Sequence, residues 1–220
     1  MTYEPDPIAA AYEVERAGAH QIVMHLREDR RHITDRDFEL AMQTVHLPID
    51  LEMATDPQIV AIAIKWKPYI CTLVPERREE LTTEGGLDVA GNLASLKGVV
   101  GELLGAGIRV SLFIDPQEEQ IRASQESGAQ AIELHTGEYA NAKERSEVAR
   151  ELERLSEAAA LASSLGLEVA AGHGLTYQNV TPIVNIMDIE ELNIGHSIVS
   201  RAIFVGIGRA VSDMLALMRR

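Results

Sequence analysis

The 220-residue chain contains a single cysteine, Cys71. It can therefore form no internal disulfide and no cysteine-based zinc site. Cys71 lies in an apolar run, ICTLV, and reads as a small core residue rather than a nucleophile. No apolar run approaches the length of a membrane helix, and the first residues lack a signal-peptide pattern. These absences predict a cytoplasmic protein with no membrane partner. Basic residues are scarce: 20 Lys+Arg stand against 34 Asp+Glu, a net charge of −14. Such a balance excludes a broad nucleic-acid-binding face but permits a local basic pocket. Low-complexity tracts and long linkers are missing too. With 46% hydrophobic residues, the expectation is one domain spanning 1–220 around a substantial core. No HExxH-type spacing fixes a metal site; His25, Glu52, His173 and His196 could be gathered around an ion only by the fold. No metal is expected.

What the chain does have is a rhythm. Short runs rich in Val, Ile and Leu occur at 20–26, 48–54, 68–75, 108–115, 130–136, 167–173 and 191–197. Longer segments of helical periodicity separate them, such as NAKERSEVARELERLSEAAALASSL. Glycines in AGAH, GAGIR, SGAQ and SLGLE read as helix ends just before strands. Alternating strands and helices predict a parallel sheet with right-handed crossovers. His25, Glu52, Glu133, His173 and His196 all fall at or near strand ends. A closed (β/α) barrel gathers such ends into one site, whereas an open sheet gathers only those near its switch point. The expected fold is therefore an α/β barrel of the (β/α)8 type, with seven of eight strands visible. At the N-terminus Asp6 reads as a helix cap and Pro7 as the first helical residue, so no strand precedes HQIVMHL. An open seam between the flanking strands would follow.

Several strand ends carry chemistry. HLREDRRHI follows an apolar strand with His25, Arg27, Arg30, Arg31 and His32, and guanidinium forks suit phosphate or carboxylate. The plain alternative is a solvated loop in which Glu28 and Asp29 pair the arginines. Glu52 in IDLEMA and Glu133 in AIELHTG are carboxylates within apolar strands, where burial raises the pKa toward the range of proton transfer. Either could instead pair with a barrel-facing cation. His135 shares the face of Glu133, because strand side chains repeat every two residues. TTEGGLDVAG, with Thr82, Thr83, Gly85 and Gly86, reads as a flexible loop long enough to cover a site, or as an ordinary loop ending in a helix cap at Asp88. AAGHG and NIGHS place His173 beside Gly174 and His196 beside Gly195 on the last two strands. Loops in those positions commonly bind phosphate with backbone amides and a helix N-terminus. Lys65 and Lys67 precede a strand rather than end one, which disfavours a Schiff-base aldolase.

HLREDRRHITDRD, LEMA, LVPERREELTTEGGLDVAG, SLFID, IELHTG, AGHGLTYQNV and ELNIGHSIVSRA, in this order, resemble the pyridoxine 5′-phosphate synthase family. The resemblance implies a (β/α)8 barrel with extra helices, assembled as a homo-octamer built from dimers. It implies condensation of 1-deoxy-D-xylulose 5-phosphate with 3-amino-2-oxopropyl phosphate to pyridoxine 5′-phosphate, phosphate and water, with no metal or organic cofactor. By motif, His25 and Glu52 would be bases, His173 the proton donor and Glu133 a transition-state stabiliser. Arg27, His32 and Thr82 would hold the deoxyxylulose phosphate; Gly174, Gly195 and His196 would hold the other substrate. Family members begin with a strand similar to GVNIDHVATLRQAR, which this chain lacks. An N-terminally shortened form with the fold kept and activity weakened is the expectation. The competing readings are a non-catalytic phosphate-binding or assembly subunit, and another sugar-phosphate enzyme on the same barrel.

Overall fold

The computed structural model describes residues 4–76 and 85–219. Among these described residues seven strands run β1 (Ile22–His25), β2 (Ile49–Met53), β3 (Ile70–Leu73), β4 (Arg109–Ile114), β5 (Ala131–His135), β6 (Glu168–Gly172) and β7 (Glu191–Asn193). The helices described with them are α1 (Pro7–Arg16), α2 (Asp35–Thr44), α3 (Pro57–Trp66), α4 (Leu93–Gly105), α5 (Glu118–Ser127), α6 (Gly137–Asn141), α7 (Arg145–Ser164), α8 (Val180–Val184), α9 (His196–Val205) and α10 (Ile207–Leu217). All strand pairs are parallel and the spatial order is the chain order, β1 to β7. This is a nearly closed barrel, and each of the seven anticipated apolar runs supplies one strand.

Local chemistry sets the element ends. The Asp6 carboxylate accepts hydrogen bonds from the amides of Ile8 (2.8 Å) and Ala9 (3.1 Å), and Pro7 opens α1, as the sequence predicts. Asp56 and Pro57 repeat the device at α3, and Thr34 with Asp37 forms a capping box at α2. Gly18, Gly107, Gly128 and Gly166 end helices with φ between +82° and +95°, the left-handed conformation that stops a helix at little steric cost. Asp88 is a correction: α4 begins at Leu93, not after Asp88. The Asp88 carboxylate instead accepts from the Gly91 amide (3.0 Å) and from Gln120 (3.0 Å). It builds a turn just ahead of the observed start of α4. Gly86 is also tighter than a flexible loop residue. A Cβ there would lie 2.1 Å from the Asp115 amide nitrogen, so glycine serves a close backbone approach.

Strand alternation sorts the side chains into two environments. Outward residues such as Leu51, Met53, Leu73, Leu112, Ile114, Ile132 and Leu134 are buried against Phe38, Ile59, Leu103, Ile121 and Leu155 of the helices. Cys71 belongs to this layer and is fully buried, as expected of a core residue. Inward residues are polar to an unusual degree: Asp50, Thr72, Ser111 and Glu133 are all buried. Among the described residues β1 and β7 each have one strand neighbour. Across their seam the Gln21 side-chain amide donates to Glu191 at 3.2 Å.

Candidate active site

Register builds the first half of the site. His25, at the end of β1, lies opposite Glu52 on β2. Its Nδ1 is 3.9 Å from Glu52 Oε2, and its Nε2 is 2.8 Å from Glu76 Oε1, just past β3. Glu76 is fixed in turn by the Glu28 amide, which donates to its second oxygen at 3.1 Å. The imidazole thus sits between two carboxyls in different electrostatic states. Burial pushes the Glu52 carboxyl above its usual range, and His25 offsets only part of that. Burial acts the same way on Glu76, but hydrogen bonds from His25 and the Glu28 amide, with the charge of Arg27, outweigh it and hold that carboxyl low. The two carboxyls are thus shifted in opposite directions, Glu52 up and Glu76 down. This is the division of labour that acid–base catalysis needs. His25 and Glu52 also stay partly accessible, with side chains 21% and 25% exposed.

The second half centres on β5. Glu133 is buried, and its Oε2 accepts from the Asn193 side-chain amide at 2.8 Å. Burial, then the charge of Glu52, pushes its carboxyl well above the usual range; the Asn193 bond pulls the other way. Two positions on, His135 places Nδ1 3.0 Å from Asp115 Oδ1. Its ring packs against that of His173, with centroids 5.0 Å apart and planes at 59°. The His135 hydrogen bond, helped by the Gly86 amide, holds the Asp115 carboxyl below its usual range.

The loops after β6 and β7 meet. Ser197, in the first turn of α9, donates to the Leu175 carbonyl at 2.7 Å, which ties the Gly174 loop to the Gly195–His196 loop. α9 starts at His196 with Gly195 as its cap, and no side chain caps its amides. Backbone N–H groups and the helix dipole there suit an anion. Gly174 has φ +78°, and Asn179 donates to its carbonyl at 3.2 Å.

In the basic knot the residues separate. Arg27 is buried, with Nε 3.5 Å from Asp29 Oδ1. Arg30 donates to Asp35 and to the carbonyls of Arg27 and Glu28. Arg31 pairs with Asp29, whose carboxyl that hydrogen bond holds at about 2. Arg30 and Arg31 therefore shape the loop, as the solvated-loop alternative predicts for them. His32 is exposed. Thr82 lies outside the described residues. Lys65 and Lys67 sit at the C-terminal end of α3 and are exposed. Among the described residues no group of three or more His, Cys, Asp or Glu is arranged to hold a metal ion. No described helix is long and apolar enough to cross a membrane.

Asp50, Glu76, Asp115 and Asn193 join the site without having been singled out in the sequence. Asp50 could have been found, since it stands two residues before Glu52 and so on the same strand face. Its Oδ2 accepts from Thr72 Oγ1 at 2.7 Å. Burial, then the charge of Glu52, raises its carboxyl well above the usual range. Asp50, Glu52 and Glu133 together make folding pH-dependent. Their unfolded values lie near about 4. Above that pH the unfolded chain releases protons that the native barrel keeps. Stability therefore falls as pH rises from about 4 through the raised native values, then levels off, at up to about 1.4 kcal/mol per pH unit for each carboxyl. Asp50→Asn should flatten this slope in urea unfolding between pH 5 and 8 and make the variant the more stable form at pH 8. An unchanged slope would exclude Asp50 as a source.

The sequence profile of the family described as "Pyridoxal phosphate biosynthesis protein PdxJ" matches residues 1–220. A pyridoxine 5′-phosphate synthase of Trichlorobacter lovleyi is 56% identical over 217 residues, covering 99% of this chain and 91% of that protein. One from a Synechococcus strain is 58% identical over 217 residues with the same coverage of both. Among solved structures, a 4-hydroxy-2-oxoglutarate aldolase superposes with a TM-score of 0.66 at 12% identity, covering 100% of this chain and 91% of that one. That likeness speaks for the barrel fold alone. Identity above half over nearly the whole length goes further: the chain belongs to the pyridoxine 5′-phosphate synthase family of vitamin B6 biosynthesis.

Proposed function

We propose that this chain forms pyridoxine 5′-phosphate from 1-deoxy-D-xylulose 5-phosphate and 3-amino-2-oxopropyl phosphate, with loss of inorganic phosphate and water. The observation that carries this reading is the His25 imidazole held between an ionised Glu76 and a Glu52 of raised pKa. Imine formation, elimination and ring closure each move a proton on or off a carbon, nitrogen or oxygen at neutral pH. His25 and Glu52 act as bases, and His173 is the donor. Glu133, held by Asn193, stabilises charge that develops beside it. Arg27, His32 and Thr82 bind the deoxyxylulose phosphate. Gly174, Gly195 and His196 bind the other phosphate, at the uncapped start of α9. The reaction runs in the cytoplasm on homo-octamers built from dimers. Self-association is favoured by the apolar side chains that α9 leaves exposed, Val199, Ile203 and Phe204.

Among the described residues β1 and β7 each have one strand neighbour, and the Gln21–Glu191 bond links them. Turnover should be measured with both substrates, following pyridoxine 5′-phosphate and released inorganic phosphate. Formation of both products in equal amounts is the expected result. Binding of both phosphates without turnover would favour the non-catalytic reading.

A further inference from the structure

At the end of β5, Thr136 is 1% exposed and touches the His173 loop through its backbone and its side chain. Its amide donates to the Gly172 carbonyl at 2.9 Å, in the manner of a strand ladder. Its hydroxyl lies 2.8 Å from the same carbonyl and 2.5 Å from the carbonyl of His173. His173 itself has φ +76°. For a residue with a Cβ that conformation is strained, and it persists only where the surroundings over-determine it. Gly174 follows at φ +78°, and a Cβ there would meet the Cβ of Ala140 at 2.6 Å. The chain therefore turns through two successive left-handed residues pressed against α6. The His173 ring, meanwhile, rests on the buried ring of His135.

We propose that Thr136 is a positioning residue that acts through His173: its hydroxyl locks the strained backbone of that residue and so fixes where the imidazole presents its proton. This rests on the reading of His173 as the proton donor. A β-branched side chain with a hydroxyl is what the place requires. The branch restricts χ1, and the hydroxyl supplies one proton, directed at the nearer His173 carbonyl and shared at most with that of Gly172. Valine would keep the branch and lose the donor; serine would keep the donor. Thr136 does not enter the chemistry, so it sets the rate of the step that uses His173 rather than the binding of either phosphate.

A double-mutant cycle tests this. Thr136→Val should lower kcat by about 10- to 100-fold with KM within about threefold. Thr136→Ser should restore kcat to within about threefold. In a His173→Asn background Thr136→Val should cost nothing further, because the residue it acts through is gone. A kcat for Thr136→Val close to wild type, with His173→Asn slow, would overturn the proposal and leave the donor reading intact. An equal loss in both backgrounds would also overturn it, by showing a general structural role. His173→Asn at wild-type turnover would overturn the donor reading and the proposal together. A readout independent of turnover is the ¹⁵N imidazole spectrum of the histidine-labelled chain. His173 should give one set of signals in wild type and Thr136→Ser, and broadened or doubled signals in Thr136→Val. Identical spectra in all three would count against the lock.

Discussion

Glu52→Gln is expected to lower turnover by about a thousandfold or more while both phosphorylated substrates still bind within about threefold of wild type. Glutamine matches the shape of glutamate and cannot take up a proton, so the change tests proton transfer with little change in packing. The site gives Glu52 a position suited to the task. It faces His25 across the β1–β2 ladder, and burial raises its carboxyl. Because that raised carboxyl works against the native state at neutral pH, the variant should fold at least as stably at pH 8. It should also ease the ionisation of Glu133, whose carboxyl is raised in part by the charge of Glu52. Steady-state kinetics together with calorimetric titration of each substrate decide the matter. Turnover within about tenfold of wild type would remove Glu52 as a base.

Much of this site was legible in the sequence, and what was not has physical causes. Apolar runs between glycines located all seven strands, because a strand of a barrel buried under helices must be apolar on its outer face. Polar residues at strand ends then pointed to His25, Glu52, Glu133 and His173. Periodicity does not reveal which loop carboxylate meets which histidine. Glu76 lies 51 residues from His25 in sequence, and only the parallel pairing of β1, β2 and β3 brings the two to 2.8 Å. Asp115 and His135 come together in the same way through β4 and β5. Asp88 misled because a short acidic side chain before an apolar segment caps a turn as readily as a helix. Here the Gly91 amide and Gln120 claimed it, and α4 began after Asn92. The family resemblance supplied what residue patterns alone leave open, the substrates.

Gly172→Ala should lower turnover by about a hundredfold and yet leave a folded barrel. The glycine is the last residue of β6, opposite His135 in the ladder, and it is buried. A methyl group placed there would lie 2.0 Å from Glu133 Oε1 and 3.0 Å from the Asn193 carbonyl oxygen. Something must move, and the Glu133 side chain is softer than the backbone of β7. Its carboxyl would swing away and stretch the 2.8 Å bond from Asn193. The strand pairing need not break, since the Thr136 amide still reaches the Gly172 carbonyl. Loss of the buried hydrogen bond should destabilise the fold by about 1–3 kcal/mol, visible as a lower Tm. If Glu133 stabilises charge in the transition state, the damage falls on kcat and spares KM. A Gly172→Ala/Glu133→Gln double variant separates the two effects. Should the alanine act by displacing Glu133, the pair will be no slower than Glu133→Gln alone. Independent, multiplying losses would instead show that Gly172 matters for the backbone of the His173 loop and not for the carboxylate it adjoins.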